Sequence, residues 1–190
     1  GVPTVLCGQL EGHPYRDVFS TVYSDDEEGG RFAALAMKER GRKDIVAVLG
    51  PQDNPAVVDR LRGYRTVLGE DLPGANVIYT GWNSGDGYQA MHQILAREIA
   101  FDGVLCGSDR IAAGVITALN EAGLSVPADV SVVGFDDHEI AARCVPALTT
   151  VRQPLREEGH MAANIALDMI KGAEPTTSVM HMQLVQRDSL

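Results

Sequence analysis

Basic side chains are scarce in this chain. Sixteen lysines and arginines stand against 26 acidic residues, for a net charge of −10. Neutralising phosphates takes a basic face, so this stretch is not expected to grip DNA or RNA by itself. Cysteine is scarcer still. Cys7, Cys106 and Cys144 form an odd, widely spaced set with no CxxC pair and no cysteine–histidine spacing of the zinc type. Cys7 and Cys106 fall in apolar strand-like runs, where buried reduced thiols fit a cytoplasmic protein. No apolar run approaches the length of a membrane span, so no membrane partner is expected. Enzyme signatures are equally thin. The histidines are scattered, and neither HExxH nor a Gly-x-Ser-x-Gly elbow occurs. The run Gly107–Gly114 has two glycines but no Lys-Ser/Thr, and Gly81, Gly85 and Gly87 miss the dinucleotide spacing. Hence no cofactor, no metal and no catalysis are expected. Repeats, low-complexity tracts and long linkers are also lacking. No secretory signal is visible, but the chain opens at Gly1 in mid-pattern and reads as a piece of a longer protein.

What is present is alternation. With 190 residues, 45% of them hydrophobic and 22% charged, the chain suits one large domain or two small lobes. Apolar strand candidates are Thr4–Cys7, Phe19–Tyr23, Ile45–Leu49, Val77–Tyr79, Gly103–Cys106, Val130–Phe135, Thr149–Arg152 and Met180–Val185. Helical periods lie between them. In Asp109–Ala122 the apolar residues Ile111, Val115, Ala118, Leu119 and Ala122 share one face, and Gly123 supplies the stop. Leu155–Lys171 repeats the pattern up to Gly172, and Asp25 or Asp26 can cap a helix running to Arg40. Near-continuous apolar strands alternating with helices predict an α/β fold with parallel sheets covered by helices.

In such sheets ligands dock beyond the carboxyl ends of strands. The residues there are Ser24 and Asp25, Asp53 and Asn54, Trp82, Ser108 and Asp109, and Asp136 and Asp137, with Arg60 near the start of a neighbouring helix. Carboxylates and an arginine can bind adjacent hydroxyls in bidentate fashion, and the chain's one indole can cover the apolar face of a sugar ring. Each residue also has a plainer role. Ser108 or Asp109 reads first as a helix N-cap, and Asp136 or Asp137 can cap a helix His138–Arg143. Trp82 can be ordinary core, and Arg60 a solvated helix residue. Two adjacent carboxylates also allow metal-assisted hydrolysis, the phosphatase alternative.

Three runs carry a family resemblance: Asp102–Gly114, Leu119–Asp137, and Pro146-Ala-Leu-Thr-Thr-Val-Arg-Gln-Pro154. Together with Arg60-Leu-Arg-Gly-Tyr64 and Leu184-Val-Gln-Arg-Asp-Ser189, they resemble the effector-binding region of lactose-repressor (LacI/GalR) family transcription regulators. The resemblance implies a periplasmic-binding-protein-like type I fold, with doubly wound parallel sheets in two lobes joined by crossing strands. A small-molecule effector would lie in the cleft between the lobes and change their geometry, controlling operator binding allosterically. By position, Arg60 and Asp136 would be the polar clamp, Trp82 the aromatic wall, Ser108 a hydrogen-bonding partner, and Gln153 a residue at a crossing strand. Asp109 would support the loop. A sugar or related polar metabolite is the expected effector, with a purine-like ligand the alternative.

Some features depart from the family. The helix-turn-helix is absent, so operator DNA would be reached only through a domain outside this chain. The start of the N-terminal lobe is absent too. Residues 1–40 with 153–177 are expected as the incomplete N-terminal lobe, and 41–152 with 178–190 as the C-terminal effector-binding lobe. Gly8 stands where some sugar-responsive members carry a carboxylate, and Ser108 replaces an asparagine common in sugar binders. An incomplete lobe leaves apolar edges open, and the family is usually homodimeric, so self-association is expected. A sugar-binding transporter component shares the fold and is the remaining alternative.

Overall fold

The computed structural model describes residues 2–9, 18–97 and 99–190. They divide into two compact units: residues 1–25 with 153–182, and 26–152 with 183–190.

The larger unit is built on a six-stranded sheet. Its strands are β3 (Ile45–Leu49), β4 (Val77–Tyr79), β5 (Gly103–Cys106), β6 (Ser131–Asp136), β7 (Thr149–Arg152) and β9 (Gln183–Val185), in the order β4-β3-β5-β6-β7-β9. All neighbours are parallel except β9, which runs antiparallel to β7. Both faces are covered, which is why β3 and β5 are buried along their whole length. On one face Val46, Val48, Val104, Cys106 and Val132 pack with α3 (Ser84–Leu95) and α4 (Asp109–Glu121) through Met91, Ile94, Ile111, Val115 and Leu119. By strand alternation Ile45, Ala47 and Leu49 face the other way. The remaining helices of this unit are α1 (Asp26–Glu39), α2 (Pro55–Leu68) and the short α5 (Glu139–Arg143).

The contact between α1 and α2 decides where the unit boundary falls. A Cβ at Gly30 would strike the Arg60 carbonyl, and one at Gly63 would strike the Glu27 carbonyl. Two glycines thus let the helix backbones touch, and α1 is bound to α2. The boundary between the two units therefore lies before Asp26, and α1 belongs to the larger one.

The smaller unit has a three-stranded parallel sheet in the order β1-β2-β8, from β1 (Val5–Cys7), β2 (Ser20–Ser24) and β8 (Thr177–Met180). The helix α6 (Leu155–Ile170) packs on β1 and β2. Met180–Val185 is thus not one strand. Residues 177–180 pair with β2 and residues 183–185 pair with β7, so the run is shared between two sheets. None of the described helices is long and apolar enough to cross a membrane.

Candidate functional site

Because β3 to β7 are parallel, their carboxyl ends form one rim of the six-stranded sheet. Arg60 reaches it from the second turn of α2, which starts behind a well-made cap. Asn54 accepts from the backbone N–H of Ala56 and Val57, and Pro55 supplies the first helical residue. Arg60 is not a solvated helix residue. It is 4% exposed. Its Nε donates to Asp26 Oδ1 at 2.7 Å, and its Nη1 donates to the Gly107 carbonyl and lies 3.7 Å from Asp136 Oδ1. The guanidinium carbon sits 3.7 Å above the centre of the Phe135 ring, a cation–π contact. Nη2 donates to no acceptor among the described residues, and it is not sealed from solvent. One arm of the fork is thus left for an outside oxygen.

Trp82 follows β4 and is 36% exposed, so it is not plain core. Its ring lies over Gly50 at the end of β3, where any Cβ would collide with the indole. Ser108 is buried and caps α4, its Oγ accepting from the Ile111 N–H at 3.2 Å. A hydroxyl that accepts one bond still carries a hydrogen to donate. Asp136 ends β6 with its side chain 32% exposed. These four residues belong to the larger unit and its one strand-end rim.

Asp137, next in the chain, has a separate task. Its two oxygens accept from Arg152 Nε at 2.7 Å and Arg187 Nη2 at 2.6 Å. Partial burial works against ionisation here, but the hydrogen bonds and charges of the two arginines outweigh it. They hold the carboxyl below its ordinary range. Asp137 therefore does not cap α5. His138 does, its Nδ1 accepting from the Ile140 N–H at 3.3 Å. Asp109 is fully buried, accepting from the His138 N–H at 2.7 Å and from the Thr150 hydroxyl. Burial pushes its carboxyl up to about 7, with Asp136 and Asp137 adding to the rise against those two bonds.

Residues 34–190 match the periplasmic binding protein-like domain family. The chain belongs to that family. Its periplasmic binding protein-like domain is of the LacI-regulator type, as the relatives show. The HTH-type transcriptional repressor PurR of Escherichia fergusonii is 36% identical over 184 residues, covering 94% of this chain and 54% of PurR. The HTH-type transcriptional regulator CelR of Thermobifida fusca is 36% identical over 194 residues, covering 100% of this chain and 57% of CelR. Among solved structures, a transcriptional regulator CelR–cellobiose complex superposes with a TM-score of 0.91 at 34% identity. The match covers 98% of this chain and 58% of that one. A LacI family transcriptional regulator from Enterococcus faecalis with bound ribose gives 0.86 at 25% identity, covering 100% of this chain and 78% of that one. The chain thus spans just over half the length of the curated relatives it matches.

Within this periplasmic binding protein-like domain, the sequence-predicted residues sort into two groups. Arg60, Trp82, Ser108 and Asp136 share the rim of the larger unit, whereas Gln153, Ser24 and Asp25 belong to the smaller unit. Asn54, in turn, is occupied as a cap. Sequence reading missed Asp26, Phe135, Thr150 and Arg187. The glycine in Arg60-Leu-Arg-Gly-Tyr64, taken with Gly30, was a usable signal for the helix contact that brings Asp26 to Arg60. Nothing local marked Arg187, which reaches Asp137 from fifty residues away. A groove of about 370 Å³ on the outer side of α2, lined by residues such as Val58, Arg62, Arg65 and Tyr79, includes none of the four rim residues.

Proposed function

We propose that this chain is the effector-sensing part of a transcription regulator, and that it binds a sugar or a related small polar metabolite. The observation that carries this reading is the Arg60 guanidinium. It is buried, oriented by Asp26 and the Gly107 carbonyl, floored by Phe135 and adjacent to Asp136, and those hydrogen bonds do not use Nη2. An arginine arm held that rigidly can donate to a ligand oxygen at little cost in lost side-chain freedom. Trp82 on the same rim supplies a ring face, and Ser108 a hydroxyl donor. The roles of Asp136 and Gln153 come from the family resemblance, for Gln153 from that alone. A purine-like ligand uses the same arginine and aromatic pair and remains the alternative within this reading.

The regulator reading is favoured over a transporter component because the relatives are named as transcriptional repressors and regulators. In the same reading the protein is cytoplasmic, homodimeric and not an enzyme. It acts through a DNA-binding segment outside these residues. Its output needs only an effector with different affinity for two arrangements of the regulator.

Calorimetric titration with cellobiose, ribose and adenine tests the reading. At least one is expected to bind, and Arg60→Lys is expected to weaken it about tenfold or more, since lysine keeps the charge but loses the fork. Unchanged affinity in Arg60→Lys would remove the residue from the site. Arg60→Ala is the poorer probe, because it breaks the buried ion pair with Asp26 and confounds binding with folding.

A further inference from the structure

The rim carboxylate Asp136 is held in place by a residue that stands behind it. Asp109, the first residue of α4, is fully buried. Its Oδ2 accepts from the His138 N–H, and its Oδ1 accepts from the Thr150 hydroxyl. That hydroxyl oxygen accepts in turn from the Asp137 N–H at 3.4 Å. One carboxyl therefore pins both amides that follow Asp136, one directly and one through Thr150. Among the described residues, the non-glycine residues at positive φ are Asp136 at 108° and Asp137 at 54°. A side chain at φ 108° is rare and persists only where its surroundings over-determine it. The chain makes room for this carboxyl: a Cβ at Gly134 would collide with Asp109 Oδ1 and with Leu148.

We infer that Asp109 is a positioning residue of the effector site: its ionised carboxyl locks the Asp136–His138 turn and thereby presents Asp136 beside Arg60. This rests on the reading of Arg60 and Asp136 as effector-binding residues. Ionisation matters because both partners of Asp109 are donors and a carboxylate only accepts. A protonated carboxyl, or an asparagine, turns one oxygen into a donor facing the Thr150 hydroxyl. That hydroxyl must then rotate and its hold on the Asp137 amide weakens, while the His138 N–H exchanges a charged acceptor for a neutral, weaker one.

The groups facing Asp109 come from every element around it. Asp136 and Asp137 lie at the tip of β6, the Cys106 thiol at the end of β5, the Cys144 thiol just past α5, and the neutral Thr150 on β7. Arg152 and Arg187 act beyond Asp137. With the carboxyl at about 7, the turn is held above neutrality and released as pH falls through that value.

The test combines amide exchange with binding, on the 190-residue chain. Exchange at the Asp137 and His138 amides is followed by NMR from pH 5.5 to 8.5, with the intrinsic rate divided out. In the wild type, protection at His138 is expected to rise about tenfold across one titration near neutrality, and Asp109→Asn to leave it low and flat. Thr150→Val, which leaves Asp109 intact, should lower protection at Asp137 while the His138 titration persists. For whichever of cellobiose, ribose or adenine binds, Asp109→Asn should weaken affinity about tenfold at pH 8 and erase its pH dependence below 7. Wild-type exchange in Asp109→Asn overturns the proposal. So does changed exchange with unchanged affinity, provided Arg60→Lys still impairs binding. If none of the three compounds binds, or if Arg60→Lys binds like the wild type, it is the effector reading that fails, and the exchange profiles still decide whether Asp109 locks the turn.

Discussion

Every residue of β3 and β5 in the larger unit is buried, whereas in the smaller unit β1 has no buried residue and β8 alternates exposed with half-buried ones. Among the described hydrophobic residues of the smaller unit, only Val22, Ile165 and Met182 are buried, and α6 leaves Leu155, Leu167 and Ile170 exposed. Both units repeat the same parallel strand-and-helix pattern. The difference lies in layering. The sheet of the larger unit is covered on both faces by five helices, so burial accumulates over six strands. A three-stranded sheet with one helix packed on it cannot do the same, whatever the apolarity of its strands.

The comparison predicts unequal energetic roles, and mutations in each unit can break it. Phe135→Ala should cost about 3–5 kcal/mol, because it opens a cavity in a sealed core and removes the floor under Arg60. Val22→Ala, in the thinner unit, should cost about 1–3 kcal/mol, both losses being read by urea titration. Equal losses would mean that layering does not carry the stability difference. Next comes Arg60→Ala, expected to cost about 3 kcal/mol by removing the cation that lies 2.7 Å from the nearly buried Asp26 carboxylate. A loss below about 1 kcal/mol would show that the pair adds little beyond packing.

Acid stability sets apart two carboxyls that meet at the β6 tip, Asp137 on the tip itself and Asp109 at the start of α4. The carboxyl of Asp137 is depressed, so its stabilisation is complete above the unfolded value near 3.8 and is lost as pH falls through the lower folded value. Asp137→Asn should therefore cost about 1–2 kcal/mol at pH 7 and flatten the acid limb of the stability curve. Asp109 works in the opposite sense. Its raised value makes the stability it contributes complete below about 3.8, and that contribution declines as pH rises toward 7. Asp109→Asn should remove that decline. An Asp109→Asn curve parallel to the wild type between pH 4 and 7 would show that the carboxyl does not titrate there. The smallest effect is expected in the smaller unit. There the Ser24 hydroxyl donates to Glu158 Oε2 at 3.0 Å, and Ser24→Ala should cost about 1 kcal/mol.

Much was legible without coordinates. Five strands of the larger unit and the helices α1, α4 and α6 follow from apolar runs, helical periods and end signals, which are local. The rim residues Arg60, Trp82, Ser108 and Asp136 were also legible, because in a parallel sheet the residue after each strand must lie at the same end. The runs shared with LacI-type regulators named the family before any geometry was known.

What tertiary structure alone decided is pairing. Whether Asp137 caps a helix or clamps two arginines depended on Arg187 arriving from the far end of the chain. Whether Arg60 is solvated or buried depended on two glycines letting α1 touch α2. The division of residues 177–185 between two sheets depended on which strands lay alongside. A sequence determines, by local periodicity, which element a segment forms. Which side chains meet is set by loop closures and helix contacts that no local window contains.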